Sequence, residues 1–361
     1  MAMRPVTEAE LAEAVAGAAG PLVIRGGGTR GIGAVEGDLL ETSGLSGVVL
    51  YEPAALTLVV RAGTPLAEVG ALLAAERQRL AFEPPDLRAV LRREGLSTIG
   101  GVVAANASGP RRVQAGAARD AALGVRFVTG RGEVVKNGGR VMKNVTGYDL
   151  VKLMAGSHGV LGVLSEVSLK VQAMPEAETT LVLEGLDDAA GLATLRRALG
   201  SPFDVSGAAR VQGHSLIRVE GMAGSVAYRT GRLRGLLAGD ATMAEGEASA
   251  ALWRGVRDVT ALAGRPGELW RLALVPSAAA EVTAAMGGEA VFDLGGGLVW
   301  LLLPPGQGDA LRAAIAGRGQ ATLVRGAGTC PFAPEAAEVA ALSAGLKAAF
   351  DPRGILNRGL I

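Results

Sequence analysis

Three glycine-rich stretches hold the residues whose types and spacing best suit binding chemistry. They are RGGGTRG at Arg25 to Gly31, STIGGVVAANASG at Ser97 to Gly109, and GSHGVLGVL within the longer run YDLVKLMAGSHGVLGVLSEVSLKV at Tyr148 to Val171. Successive N–H groups of a glycine-rich turn can form an anion nest, and Arg25 or Arg30 would add positive charge beside a pyrophosphate. In the second stretch, Gly100 and Gly101 would let backbone approach a ligand that any Cβ would push away, while Ser97, Thr98, Asn106 and Ser108 offer hydrogen bonds to ribityl or phosphate oxygens. In the third, Gly159 and Gly162 would lie against a ring edge with Val163 and Leu164 on its face, and Asn144, Thr146 and Asp149 offer polar contacts nearby. Taken singly, the first stretch also reads as an ordinary turn and the second as a helix packed through small residues. Together the three point to one large, flat, phosphate-bearing cofactor, and so to a flavoprotein.

Other chemistries fit less well. Gly26, Gly28 and Gly31 satisfy G-x-G-x-x-G after a strand, but a Rossmann unit needs a helix opening inside the cluster and an acidic residue ending the next strand. GIGAVEGD follows instead, without helical periodicity, and strands come next. The two histidines, His158 and His214, lack metal-ligand spacing, so no metal site is expected. His158 either touches the ligand or packs its loop; His214, between Gly213 and Ser215, reads as a turn residue. For a carboxylate, Arg257 and Arg271 are the arginines of choice, because the guanidinium fork matches two oxygens, with an interdomain ion pair as the alternative. Arg325 is a third candidate.

The elements that must position these residues read as follows. Thr7 with Glu10 forms a capping-box pattern before the helix LAEAVAGAA, and PLVIR is a strand that feeds the first glycine cluster. Strands follow at Leu39 to Thr42, Gly47 to Tyr51 and Leu56 to Arg61, then a helix with Thr64 as N-cap and Pro65 in its first turn. Glu83-Pro84-Pro85-Asp86 is a rigid loop. LGVRFVTG and EVVKN form a hairpin, and a helix near Asp149 to Met154 and a strand at Val163 to Val171 close the first lobe. Past Pro175 the pattern becomes an antiparallel α+β lobe holding Trp253, Trp270 and Trp300, which read as core. A final helix, Pro334 to Phe350, leads to a tail apolar enough to dock on the first lobe. The expected division is 1–174, 175–333 and 334–361, with no internal repeat.

Composition narrows the function classes. Lys+Arg 36 against Asp+Glu 35 gives net +1, which argues against a nucleic-acid or anionic-membrane surface. Cys330 is the only cysteine, so this chain alone can hold neither an intrachain disulfide nor an iron–sulfur cluster. The N-terminus lacks the apolar core of a signal peptide and no run reaches membrane-spanning length, so a cytoplasmic protein is expected, with membrane contact only through partners.

The segments PLVIRGGGTRG, VRAGTPLAEV, FEPPD, TIGGVVAANASGPRR, VMKNVTGYDL joined to MAGSHGVLGVLSEVSLK, LWRLAL and FDPRGILNRG resemble the FAD-binding (PCMH-type) proteins of the vanillyl-alcohol oxidase and p-cresol methylhydroxylase superfamily. Within it, nearly end to end, they resemble the E-subunit family of bacterial glycolate oxidases. The resemblance implies an α+β, two-lobed fold: a PCMH-type FAD domain and an antiparallel-sheet cap, with the isoalloxazine between them. By position it implies that Arg25, Gly26, Gly27, Gly28, Thr29 and Arg30 hold the pyrophosphate, and that Thr98, Ile99, Gly100, Gly101 and Asn106 hold the middle of the cofactor. Gly159, Gly162 and Val163 would flank the flavin, with Pro84, Asp86, Gly109 and Asn357 completing the set. Members that attach flavin covalently often place His in the first glycine loop; Gly28-Thr29 stands there, which implies noncovalent FAD. The family reaction moves hydride from the α-carbon of a 2-hydroxy acid to the flavin while a base takes the hydroxyl proton. Arg257 falls in a segment resembling the substrate arginine of related dehydrogenases. Catalytic relatives carry a cap motif with paired histidines that is missing here, leaving His158, Arg257 and Arg271 as substrate-side candidates. The implied alternatives are an FAD subunit of a glycolate-oxidising complex with a sister FAD-containing catalytic subunit and an iron–sulfur partner, a stand-alone D-lactate-type dehydrogenase, or an accessory subunit without turnover of its own.

Overall fold

The structure is a computed structural model that describes residues 2–140, 147–237, 240–326 and 331–360. Asn144, Thr146 and Cys330 lie outside the described residues. Helix Glu8–Ala16 opens on Thr7, whose Oγ1 accepts the Glu10 N–H at 3.2 Å, while the Glu10 carboxylate accepts from Val6 rather than from the cap residue. Strand Leu22–Arg25 pairs in parallel with Asp38–Glu41, and only the glycine loop lies between them, so the crossover helix of a dinucleotide fold is absent there.

A five-stranded antiparallel sheet follows, in the order Val48–Glu52, Thr57–Arg61, Val163–Lys170, Ala122–Val128, Val134–Gly138. Its central strands are buried on both faces, successive side chains pointing to opposite sides. Leu58, Val60, Val167 and Leu169 pack with Val69 and Leu73 of helix Leu66–Ala75 and with Ile99, Val102 and Val103 of helix Ile99–Ala104. Val128 and Val163 pack with Leu11 and Val15 of the first helix. The expected Thr64 cap is corrected: Pro65 takes the N-cap position, because buried Thr64 is already committed to Gly47 N–H at 3.0 Å and Arg61 O at 2.7 Å.

After Ala173 the chain enters an eight-stranded antiparallel sheet ordered Ala241–Glu245, Ala177–Leu183, His214–Gly221, Val205–Val211, Glu289–Asp293, Leu298–Leu303, Glu268–Leu274, Gly319–Arg325. Its two halves trace the same path of strand, helix, two strands, helix, strand. They meet where Arg210 pairs with Phe292. The repeat is one of topology alone, and it corrects the expectation of no repeat. Helices Asp188–Leu199, Ala223–Leu236, Ala279–Met286 and Gly308–Ile315 cover one face through Leu192, Leu195, Val226, Leu233, Val282, Leu311 and Ile315. The opposite face turns toward the first lobe, where Leu269, Val291, Trp300 and Leu302 pack with Leu87, Val90 and Leu91. All three tryptophans are buried.

The last helix, Ala337–Phe350, starts three residues later than the sequence pattern suggests. The tail then returns to the first lobe. Leu22 N–H donates to Ile355 O at 2.8 Å and Asn357 N–H to Leu22 O at 3.0 Å, and Lys347 Nζ donates to Val160 O and Leu356 O.

Candidate functional site

The three glycine stretches and the tail enclose one cavity of ≈ 330 Å³, at the lower end of the usual range for ligand sites. Arg25, Gly26, Gly27, Gly28, Thr29 and Arg30 line it from the first loop. Thr98, Gly100 and Gly101 line it from the second stretch, Gly159 and Gly162 from the third, and Asn357 from the tail. The remaining proposed contacts stand elsewhere. Ile99 is fully buried in the core, its N–H donating to Thr64 O at 3.0 Å. Val163 faces the first helix, because in a strand it points opposite to Leu164, which does line the cavity. Asn106 has φ 45° and accepts the Arg119 N–H at 2.9 Å, so it shapes a turn. Pro84, Asp86 and Gly109 belong to the junction between the lobes: Asp86 N–H donates to Asp258 at 2.8 Å, and a Cβ on Gly109 would lie 2.5 Å from Glu83 O and 3.0 Å from Arg257 Cγ. Lining residues absent from the sequence reading include Thr42, Arg93, Ala104 and Leu360. Of these, only Ala104, two turns' worth of small residues beyond Thr98, carries a sequence signal.

The glycines divide by what they face. A Cβ on Gly27 would stand 1.5 Å from Leu96 O, on Gly100 2.7 Å from Ala62 Cβ, and on Gly162 2.7 Å from Phe127. These positions are glycine because protein packs against them, so the close-packed helix reading of the second stretch also holds. Gly31 is different: a Cβ there meets nothing within 4 Å. Its backbone borders open cavity. Thr98 caps helix Ile99–Ala104 by accepting the Gly101 N–H at 3.3 Å.

Arg30 supplies charge at the first loop. It donates to Ser97 Oγ at 2.5 Å and to Pro85 O, and its Nε is buried without a partner. Burial pushes its guanidinium down to about 10, against the pull of Asp86 and Asp258, so it stays charged at neutral pH. Arg25 is half-exposed and paired with Glu41 at 2.7 Å. At the other end, Asn357 locks the third stretch to the first: its Oδ1 accepts the Ile24 N–H and its Nδ2 donates to His158 O, both at 2.7 Å. His158 lines the cavity with φ 51° and lies 6.0 Å from the Phe332 ring. Burial, then the charge of Arg271, pushes the imidazole below its ordinary value, so it is neutral at pH 7.

Between the lobes runs a lattice of buried ion pairs. Arg218 of strand His214–Gly221 donates through both Nη atoms to Glu83, each at 2.9 Å, and its guanidinium lies 4.5 Å from the Trp253 ring. Arg111 donates to Glu220 at 2.8 and 3.0 Å, and Arg79 reaches the same carboxylate at 2.6 Å. Burial alone would raise Glu83 and Glu220, but the surrounding arginines outweigh it and hold both carboxyls below the ordinary range. Arg257 joins this border: it grips Asp258 through Nε and Nη2, both at 2.7 Å. His214 is half-exposed beside Glu184, away from the cavity. Arg325 is committed to the carbonyls of Val90 and Arg265.

Residues 1–138 match the family model FAD_binding_4, an FAD binding domain. Over 343 residues, 94% of this chain and 92% of its relative, the sequence is 36% identical to glycolate oxidase subunit GlcE of Escherichia coli (strain K12). The chain belongs to the GlcE family. Its members' wider kin are FAD-linked oxidoreductases: glycolate oxidase subunit GlcD of Bacillus subtilis (strain 168) is 33% identical over 47% of this chain and 36% of its own length, and D-lactate dehydrogenase of Anaerostipes hadrus is 41% identical over 32% and 23%. An alkyldihydroxyacetonephosphate synthase structure superposes with TM-score 0.72 over 99% of this chain and 76% of its own, at 15% identity, which establishes the shared two-lobed α+β fold. This GlcE-family chain is thus an FAD-linked oxidoreductase. The cavity fits that cofactor: open backbone at Gly31, the buried Arg30 Nε and the glycine-lined wall suit a phosphate-bearing ligand with flat rings. Among the described residues no helix is long and apolar enough to cross a membrane.

Proposed function

We propose that this chain is the FAD-bearing subunit of a complex that oxidises glycolate, or a similar small 2-hydroxy acid, to the 2-oxo acid. The carrying observation is that one cavity joins the three glycine stretches and opens beside His158. In this reading the first loop, Arg25 to Arg30, holds the pyrophosphate, Thr98 to Gly101 the middle of the cofactor, and Gly159 with Gly162 the flavin end. Bound noncovalently, FAD supplies a hydride acceptor. The protein's own part is to hold the substrate carboxylate, exclude water and receive the hydroxyl proton. His158 Nδ1 or Nε2 suits the last role, because a neutral imidazole can take a proton. The names of the relatives support a multi-subunit assembly, and we infer that a sister FAD-containing subunit and an iron–sulfur subunit pass electrons onward. A cytoplasmic site, peripheral to the inner membrane through those partners, fits this role. We also propose 1–174 as the FAD domain, 175–333 as the cap and 334–361 as the returning tail.

The sequence lacks the paired-histidine cap motif, which favours a second reading: an accessory FAD subunit whose sister carries turnover. Anaerobic mixing of the FAD-loaded chain with glycolate or D-lactate separates the two. Bleaching of the flavin absorbance is the expected result. A flavin left oxidised by both acids, alone and within the assembled complex, would leave only the accessory role.

A further inference from the structure

The cavity wall is cationic. Among the described residues that line it, Arg25, Arg30 and Arg93 carry the charges, and none is Asp or Glu. The three differ in what already holds them. Arg25 is paired with Glu41 at 2.7 Å, and Arg30 reaches Ser97 Oγ and the Pro85 carbonyl. Arg93 is exposed, and its side chain enters no hydrogen bond or ion pair with the described residues. An unspent cation in the wall of an acid-free cavity favours an anionic ligand, since no protein carboxylate has to be displaced before the ligand binds.

Arg93 is presented by a braced segment. Residues 85–97 loop out and return, and Arg30 ties the two ends by donating to Pro85 O at one and to Ser97 Oγ at the other. Inside the loop, Arg88 grips Asp86 through Nε and Nη2 at 2.9 and 2.6 Å and donates through Nη1 to Gly95 O at 3.1 Å. Arg92, with φ 54°, ends the short helix Arg88–Leu91, and its Nη2 donates to Arg265 O of the cap at 3.0 Å. Beyond Arg93 the chain meets the first glycine loop. A Cβ on Gly95 would lie 2.1 Å from Gly27 O, and Gly95 has φ 109°, so close approach and backbone conformation both require glycine there. Arg93 thus sits between an anchor on the cap and an anchor on the glycine loop. Its neighbour Glu94 does not line the cavity.

We propose that Arg93 is a cofactor-binding residue which, together with Arg30, engages the diphosphate of FAD. The proposal rests on the reading of the first loop as the pyrophosphate site and adds to it a residue from outside the three glycine stretches. The guanidinium fork donates charge-assisted hydrogen bonds to phosphate oxygens, and no covalent bond changes. Since Arg92 and Arg93 are adjacent, the charge of the cofactor is met by a segment that is itself fastened to the cap.

The test is titration calorimetry of the flavin-free chain with FAD and, separately, with ADP, which carries the diphosphate without the flavin. Arg93→Gln should weaken both by a common factor of about fivefold or more, the worth of an ion pair at the solvent border, and the gap should narrow at high ionic strength. Arg93→Lys, which keeps the charge without the fork, should fall between. Glu94→Gln should stay within about twofold of the parent. The flavin-free Arg93→Gln chain should melt where the parent does, because no protein contact is lost. A loss confined to FAD and absent for ADP, or a gap that ignores salt, would overturn the assignment. Two further outcomes separate the levels of the account. FAD held as tightly by Arg93→Gln as by the parent would sink the role of the arginine and leave the cofactor cavity standing; Arg93-dependent ADP binding by a chain that takes up no FAD would sustain the diphosphate contact and sink the flavin reading.

Discussion

The arginines of the lobe junction are one residue type in opposite states. In the lattice of Arg79, Arg111 and Arg218 with Glu83 and Glu220, each guanidinium meets a carboxylate, and the pairs cross from one lobe to the other. Among the described residues, Arg271 and Arg112 meet no protein acid. The first arrangement spends its charges on protein partners that join the lobes, leaving only Arg79 Nε buried without one within it. The second pair of residues leaves its charges unmatched by the described protein groups. Number of buried charges therefore separates the two regions less well than whether those charges are spent.

That contrast can be broken by mutation. Removing one partner of the lattice leaves a buried charge stranded, so Glu83→Ala or Arg218→Ala should cost about 3–5 kcal/mol in urea unfolding, or prevent folding altogether. Arg271→Gln should change stability by less than about 1 kcal/mol, or raise it, because it relieves repulsion between like charges. Equal losses at the two places would erase the distinction. A smaller effect sits at the lattice's edge. Asp293 is fully desolvated, accepts the Leu294 N–H at 2.7 Å, and feels both Glu83 and Arg218; burial pushes it up to about 7. Because the folded chain holds this proton more tightly than the unfolded chain, its contribution to stability falls as pH rises from about 4 toward 7. Asp293→Asn should match the parent at pH 4 and be the more stable of the two at pH 8. A difference that is the same at both pH values would show that the carboxyl ionises normally.

Much of the first lobe was legible because its signals are local. Thr7 does cap the first helix, whereas Asp149, read as a ligand contact, caps helix Leu150–Met154 instead; the strands around Val60, Phe127 and Val167 do form and pack into the core. Three stretches distant in sequence could be assigned to one ligand because glycine and small polar residues cluster in each. Whether a given glycine faces ligand or protein was not legible: Gly31 and Gly27 look alike in sequence, yet one borders open space and the other touches Leu96. Partner choice was hidden in the same way. Nothing in WRGVRD signals that Arg257 is captured by its neighbour Asp258, and nothing in PRRV distinguishes Arg111, spent on Glu220, from Arg112. The doubled strand–helix–strand–strand–helix–strand path of the cap escaped because packing constrains its pattern of burial, and that pattern is satisfied by many unrelated residues.

The most direct test of the account is the fate of the flavin on denaturation. The parent chain, reconstituted with FAD, washed and then denatured, should release FAD into the supernatant at about one per chain and leave the precipitate colourless, as noncovalent binding to a single cavity predicts. Gly31→Asp, which puts a negative charge into open space without a steric clash, should fold with an unchanged melting temperature and release none. Release of a nicotinamide dinucleotide in place of FAD, flavin retained on the precipitate, or full FAD from Gly31→Asp would contradict the site described here.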